Sequence, residues 1–198
     1  VPNGRQEEQM ENRNAIGIIE LASIYKGFAV QDAVLKSANV EKLIARTICS
    51  GKFFMVVRGN VADVETAINV AREVGGFSVV NLTAIPNIDP RVFPAISGNT
   101  PIQINLNKKI GGMLVIETFS VVSAIRAADF AVKEANLEIM RVHVAMAVGG
   151  KGFVVMTGDI DALESAVKPA LEYIKQDGML AGYVIIKNPH EEVLKELI

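Results

Sequence analysis

The chain has 198 residues, half of them apolar, enough for one large or two small domains with a buried core. Lys and Arg number 20 against 22 Asp and Glu, a net charge of -2 with no basic block, which argues against nucleic acid as a partner. No apolar run approaches the roughly 18–20 residues of a membrane span, one cysteine excludes an intrachain disulfide framework, and the N-terminus lacks an apolar signal core, so the expectation is a cytoplasmic protein without a membrane partner.

Residues 1–14, "VPNGRQEEQMENRN", are polar and aperiodic and read as a flexible leader. Folding is expected from Ala15, where "IGIIEL" is a short apolar, β-branched strand. A helical stretch containing "DAVLKSANV" comes next, then the strand "KFFMVVRG". The next helix carries Val64, Ala67, Ile68 and Ala71 on one face and Asp63, Glu65, Asn69 and Arg72 on the other, with Asn60 and Asp63 spaced as an N-terminal cap. "FSVVNLTAI" reads as a closing strand. Residues 86–110 contain four prolines and link this half of the chain to the second. The same order then returns: "MLVIET", the helix "SAIRAADFAVKEANLEI", the strand "GFVVMTG", a helix with Leu163, Ala166, Val167 and Ala170 on one face and Asp161 and Glu164 as its cap, and the strand "LAGYVIIK".

The return is an internal repeat. Ala15–Arg46 aligns without a gap on Gly112–His143 with eight identities in 32 positions, among them Glu20 with Glu117, Asp32 with Asp129 and Lys36 with Lys133. Gly51–Arg72 aligns on Gly150–Leu171 with eight more in 22. Unrelated sequences of ordinary composition would match at roughly one position in fifteen. Each copy is thus an α/β (α+β, ferredoxin-like) unit ordered strand, helix, two strands, helix, strand, with helices on a mainly antiparallel sheet. The domains are expected over 15–98 and 111–198, joined by a linker over 99–110.

Catalytic signals are weak. His143 and His190 sit in unlike contexts with no nucleophile and carboxylate beside them, and "VGGKGF" lacks the spacing and hydroxyl residue of a phosphate loop, so a Gly-rich turn is expected there. Cys49, in "RTICSGK", reads either as a small packed residue at a strand end or as a ligand.

"AIGIIEL", "DAVLKSANV" and the GK turn before "FFMVVRG" resemble the bacterial microcompartment shell domain, and "SAIRAADFAVKEANLEI" is a second, looser match. Because both copies begin with the same strand, the chain is similar to unpermuted tandem-domain shell proteins. That resemblance implies a homotrimer whose six domains imitate a hexamer, tiling with other shell proteins into the shell of a cytoplasmic microcompartment, with no catalytic turnover of its own. It places Lys36 and Lys133 at the tile edge, together with His190 in "KNPHEEV", although the family's arginine before that histidine is missing. It also turns the loop of Ile48, Cys49, Ser50, Gly51 and Lys52 toward the central pore.

"KSANVEKLIARTICSGKFFMVV" is closer still to tandem shell proteins of propanediol-utilisation compartments, whose matching cysteine binds a 4Fe-4S cluster on the threefold axis. On that resemblance Cys49 is the metal ligand, one cluster is shared by three chains, and Ser50 stands where those proteins tend to have proline. Lys52 would offset the charge of the bound cluster. The implied role is electron transfer or cluster delivery to encapsulated redox enzymes. Two other readings stay open: a shell tile with an open metabolite pore, and a soluble tandem-domain regulator that binds a small effector.

Overall fold

The computed structural model describes residues 14–97, 110–144 and 148–195. All of the expected leader but Asn14, and all of the expected linker but Ile110, lie outside the described residues. The chain divides into two units between Ile88 and Asp89, before the expected end of the first domain at residue 98.

The first unit runs β1 (Ala15–Leu21), α1 (Ile24–Ser37), β2 (Glu41–Ile48), β3 (Lys52–Gly59), α2 (Val61–Gly75) and β4 (Val79–Ile85). Its strands form one antiparallel sheet in the order β2-β3-β1-β4. Every residue of β1 is buried, which is why its sequence is apolar at every position but Glu20 rather than an alternation. On the helix side Ile19, Leu21, Phe53, Met55 and Val57 pack against Val30 and Val34 of α1 and Val64, Ala67, Ile68 and Ala71 of α2. Asn60 caps α2 as expected, its side-chain oxygen accepting the Asp63 N–H at 2.8 Å. Phe77 and Ser78 fall in a single 3-10 turn, so the closing strand begins two residues later than expected.

The second unit opens with α3 (Val92–Ser97) and continues β5 (Gly112–Thr118), α4 (Val121–Glu134), β6 (Glu138–Val144), β7 (Gly152–Gly158), α5 (Ile160–Gln176), β8 (Leu180–Lys187) and α6 (Glu191–Lys195). Its sheet is β6-β7-β5-β8, the order of the first unit. The cap of α5 differs from expectation. Asp159 holds the N-cap position and Asp161 lies in the first turn, where its charge favours the helix dipole without closing a cap.

The repeat extends to irregularities. A bulge interrupts β2 between Lys42 and Ile44 and β6 between Ile139 and Arg141, at matching positions. Gly27 of α1 faces the ring of Phe53, and a Cβ on Gly27 would meet that ring at 2.1 Å. In the second unit the counterparts are Ala124 and Gly152, so the glycine is on the strand and the helix carries the methyl.

Candidate functional site

Cys49 heads a one-turn 3-10 segment, Cys49–Gly51, joining the edge strand β2 to β3. Ile48 is buried, Cys49 is half-buried, and Ser50 and Gly51 are exposed. The turn is closed by two left-handed residues, Ser50 at φ 64° and Gly51 at φ 70°. Proline is locked near φ −65° and cannot take the Ser50 conformation. In the second unit the "VGGKGF" segment is a turn, as expected, with Gly149 at φ 64° and Gly150 at φ 81°; of Ala147 to Gly149, which stand near the place of Cys49 in the repeat, Ala147 lies outside the described residues.

Lys52 leaves this turn and runs along the sheet. Its ammonium donates to Oε1 of Glu20 at 2.9 Å, and the Glu20 side chain is wholly buried. The ammonium expected to offset a cluster's charge therefore bonds a carboxylate inside the sheet. Lys151 makes the same bond to Glu117 at 3.1 Å, with both side chains more open. In the sequence Glu20 and Glu117 stand out as identities without a partner; a glutamate at the next-to-last position of an apolar strand is the available signal.

Lys36 lies at the C-terminal end of α1 and pairs with Asp32 at 2.6 Å. Lys133 repeats this on α4 with Asp129, also at 2.6 Å. The end of α1 leads into the start of β2 and Cys49 comes just after its end, so Lys36 and Cys49 are separated by most of the length of an eight-residue strand, about 20 Å. The fold thus puts edge and pore candidates at opposite ends of one strand. His190 sits in an exposed turn after β8, where its Nδ1 accepts the Glu192 N–H at 3.2 Å.

Two clusters in the second unit have no counterpart in the sequence expectations. Asp89 accepts from Arg91 at 2.8 Å through both carboxylate oxygens, and its N–H donates to Asp129 Oδ1 at 2.8 Å. Arg91 also donates to the carbonyls of Val132, at 2.6 Å, and Leu137, at 3.3 Å. The Arg91 hydrogen bonds hold the Asp89 carboxyl below its usual pKa. On the helix layer, Arg126 stacks on the Tyr173 ring at 3.5 Å and pairs with Asp177.

Among the described residues no group of three or more His, Cys, Asp and Glu could hold a metal ion. One chain offers one thiolate, and a cubane cluster normally takes four protein ligands. The donor set of a single chain therefore does not fit such a cluster, whereas an assembly that brings three Cys49 turns together would supply three thiolates. Cys49 lies in the turn of the β2–β3 hairpin, beside exposed neighbours.

The BMC domain family matches residues 15–88 and 113–189, one match in each unit. The chain is a bacterial microcompartment shell protein of the BMC family. It is 41% identical over 184 residues to the bacterial microcompartment shell protein PduT of Citrobacter freundii, covering 93% of this chain and 97% of that protein. A crystal structure of a microcompartment protein from Desulfitobacterium hafniense superposes with a TM-score of 0.78 at 35% identity, over 91% of this chain and 98% of that one. A fused permuted hexameric shell protein from the RMM microcompartment shares the fold, with a TM-score of 0.59 at 24% identity over 81% of each chain. The family is one of shell proteins rather than enzymes, and the shell of a microcompartment lies in the cytoplasm. Among the described residues no helix is long and apolar enough to cross a membrane.

Proposed function

We propose that this BMC protein is a homotrimeric shell tile whose three Cys49 turns meet on the threefold axis and hold one 4Fe-4S cluster, giving the shell a site for electron transfer or cluster delivery to enclosed redox enzymes. The observation that carries the cluster reading is the position of the chain's single thiol at the head of a turn closed by Ser50 and Gly51, at the end of an edge strand. Bound there, a cluster would supply one-electron chemistry, and the protein's part would be to position the thiolates and fix the surroundings that set its potential. Tiling with other shell proteins would use the far end of the fold, with Lys36, Lys133 and His190.

A bare helix face supports self-association. Tyr25 and Phe28 of α1 are 74% and 61% exposed, while their counterparts on α4, Val122 and Ile125, are wholly buried. An apolar face that is covered in one copy of a repeat and open in the other suits a second chain.

Anaerobic purification with iron and sulfide analysis tests the cluster, on the native chain and on Cys49→Ser. Iron, sulfide and a broad visible band, all lost in Cys49→Ser while the oligomer persists, are the expected result. Iron-free native protein that still forms sheets would make an open pore the better reading.

A further inference from the structure

The second unit holds a cleft of about 150 Å3 at one end of its sheet, lined by Gly111, Asn136, Glu138, Thr157, Gly158 and Asp159. Glu138 and Thr157 stand directly opposite each other on β6 and β7, so their side chains share a face. Oxygens gather beside Gly111: a Cβ there would lie 3.2 Å from the Gly158 carbonyl oxygen and 3.5 Å from Asp159 Oδ1. Asp159 holds the N-cap position of α5, yet its side chain accepts no backbone N–H. Thr157 is 4% exposed, and its hydroxyl donates to the Met140 sulfur, a weak acceptor, at 3.5 Å. Among the described residues that is its one side-chain bond, so a buried oxygen lining the cleft accepts nothing.

The repeat shows what this place is shaped for. In the first unit Glu41 stands opposite Arg58 on β3, as Glu138 stands opposite Thr157 on β7. Asn60, the counterpart of Asp159, is occupied in capping α2. The second unit therefore keeps the glutamate, replaces a guanidinium by a short hydroxyl, and replaces a neutral amide by a second carboxylate. One charge of each sign has become two negative charges and a cleft. The N-terminus of α5 contributes about half a positive charge, which the two carboxylates outweigh.

We propose that this cleft binds a small organic cation with a guanidinium head, in the place that Arg58 holds in the first unit. Such a head carries its N–H donors in a plane, and the carboxylates, the Gly158 carbonyl and the Thr157 oxygen supply acceptors for them. A bare metal ion is the poorer match, because among the described residues no three His, Cys, Asp or Glu side chains gather. Cavities of about 150 Å3 accommodate benzene, so the head and a short alkyl stem fit. A free alkylguanidinium and an arginine side chain of another protein both present this chemistry.

The test is calorimetric titration of the full chain with methylguanidinium at fixed ionic strength, with methylammonium as the control of equal charge. Saturable binding of one cation per chain, about tenfold tighter than methylammonium, is expected. Asp159→Asn, which installs the residue of the first unit, should weaken it about tenfold, the worth of a charge-assisted hydrogen bond. Thr157→Arg should abolish it by supplying the guanidinium from within; if circular dichroism shows that variant misfolded, Asp159→Asn decides alone. N-acetylarginine amide distinguishes the sources: binding as tight as that of methylguanidinium admits an arginine side chain, and weaker binding restricts the cleft to free cations. No saturable binding, equal binding of methylammonium, or an affinity that Asp159→Asn leaves unmoved would overturn the guanidinium site, and none of these results bears on the tile.

Discussion

The ammonium of Lys52 lies 2.9 Å from a carboxylate, Glu20, that has no exposed surface. The pair spans β1 and β3 diagonally, since Glu20 faces Phe54 in the register and Lys52 stands two residues earlier. A buried carboxylate that loses its cation retains most of its desolvation cost. Lys52→Ala is therefore expected to destabilise the protein by about 3–5 kcal/mol, and Lys52→Met with Glu20→Leu should recover most of the loss. Lys151→Ala, at the open counterpart, should cost about 0–1 kcal/mol. Denaturant unfolding of the four proteins checks this, and equal losses at the two sites would contradict it.

Ser50 makes a second prediction. At φ 64° a Cβ is strained and glycine is not. Ser50→Gly should stabilise the turn by up to about 1 kcal/mol. Ser50→Pro should force the turn into another shape, and faster labelling of Cys49 by a thiol reagent reports that change directly. Unchanged labelling in Ser50→Pro would mean that Cys49 is indifferent to the turn.

The inverted pair Gly27–Phe53 and Ala124–Gly152 makes a third. Gly27→Ala places a methyl carbon 2.1 Å from the Phe53 ring, closer than a rotamer change can relieve, and overpacking of this kind costs about 1–3 kcal/mol. Adding Phe53→Gly removes the clash but empties the place of a ring only 2% exposed, a loss of about 3–5 kcal/mol, so the double variant should be less stable than Gly27→Ala yet more stable than the sum of its singles predicts. A double variant no better than the sum of its singles would show that the two sites are independent.

These pairs mark how far the sequence can be read. The repeat, the strand and helix order and the resemblance to shell domains are all legible because they rest on local periodicity and on residues recurring at fixed offsets. Asn60 is legible as a cap for the same reason. Asp161 misleads because the residue two before it, Asp159, is the true counterpart of Asn60, and two acids close together give one spacing signal. The Glu20–Lys52 bond joins residues 32 apart in sequence, and no local pattern announces such a partner. Arg91 reads as part of a proline-rich connection because its acceptors, two main-chain carbonyls at the end of α4, leave no mark in the sequence.

Asp89 gives the molecule an acid-sensitive fastening. Its carboxyl is held below the usual value chiefly by the Arg91 hydrogen bonds, opposed by its burial and aided by the Arg91 and Lys133 charges. A group whose folded pKa is depressed stabilises the folded state fully above its unfolded value, about 3.9, and the contribution disappears as pH falls through the folded pKa. The turn before α3 should therefore loosen below about pH 4, earlier in Arg91→Ala than in the native chain. Hydrogen exchange at the Val92 amide, bonded to the Asp89 carbonyl at 3.0 Å, reads this. Equal protection in both proteins across the acid range would remove Arg91 from the fastening.

The bare face of α1 supplies the last prediction. Phe28 is 61% exposed, yet its ring lies 5.4 Å from that of Phe53, so it is anchored from below while open above. A charge at this position meets water in an isolated chain and is desolvated if a second chain covers the face. Phe28→Arg should leave the fold intact and shift the protein to monomer, raising the dissociation midpoint by about a hundredfold or more, as loss of a central aromatic anchor does. Ile125→Arg places the same charge in a wholly buried position of α4 and should prevent folding instead. Circular dichroism with sedimentation distinguishes the two outcomes. A folded Phe28→Arg protein that sediments as the native oligomer would show that α1 faces solvent in the assembled tile, and the self-association would then have to use another surface.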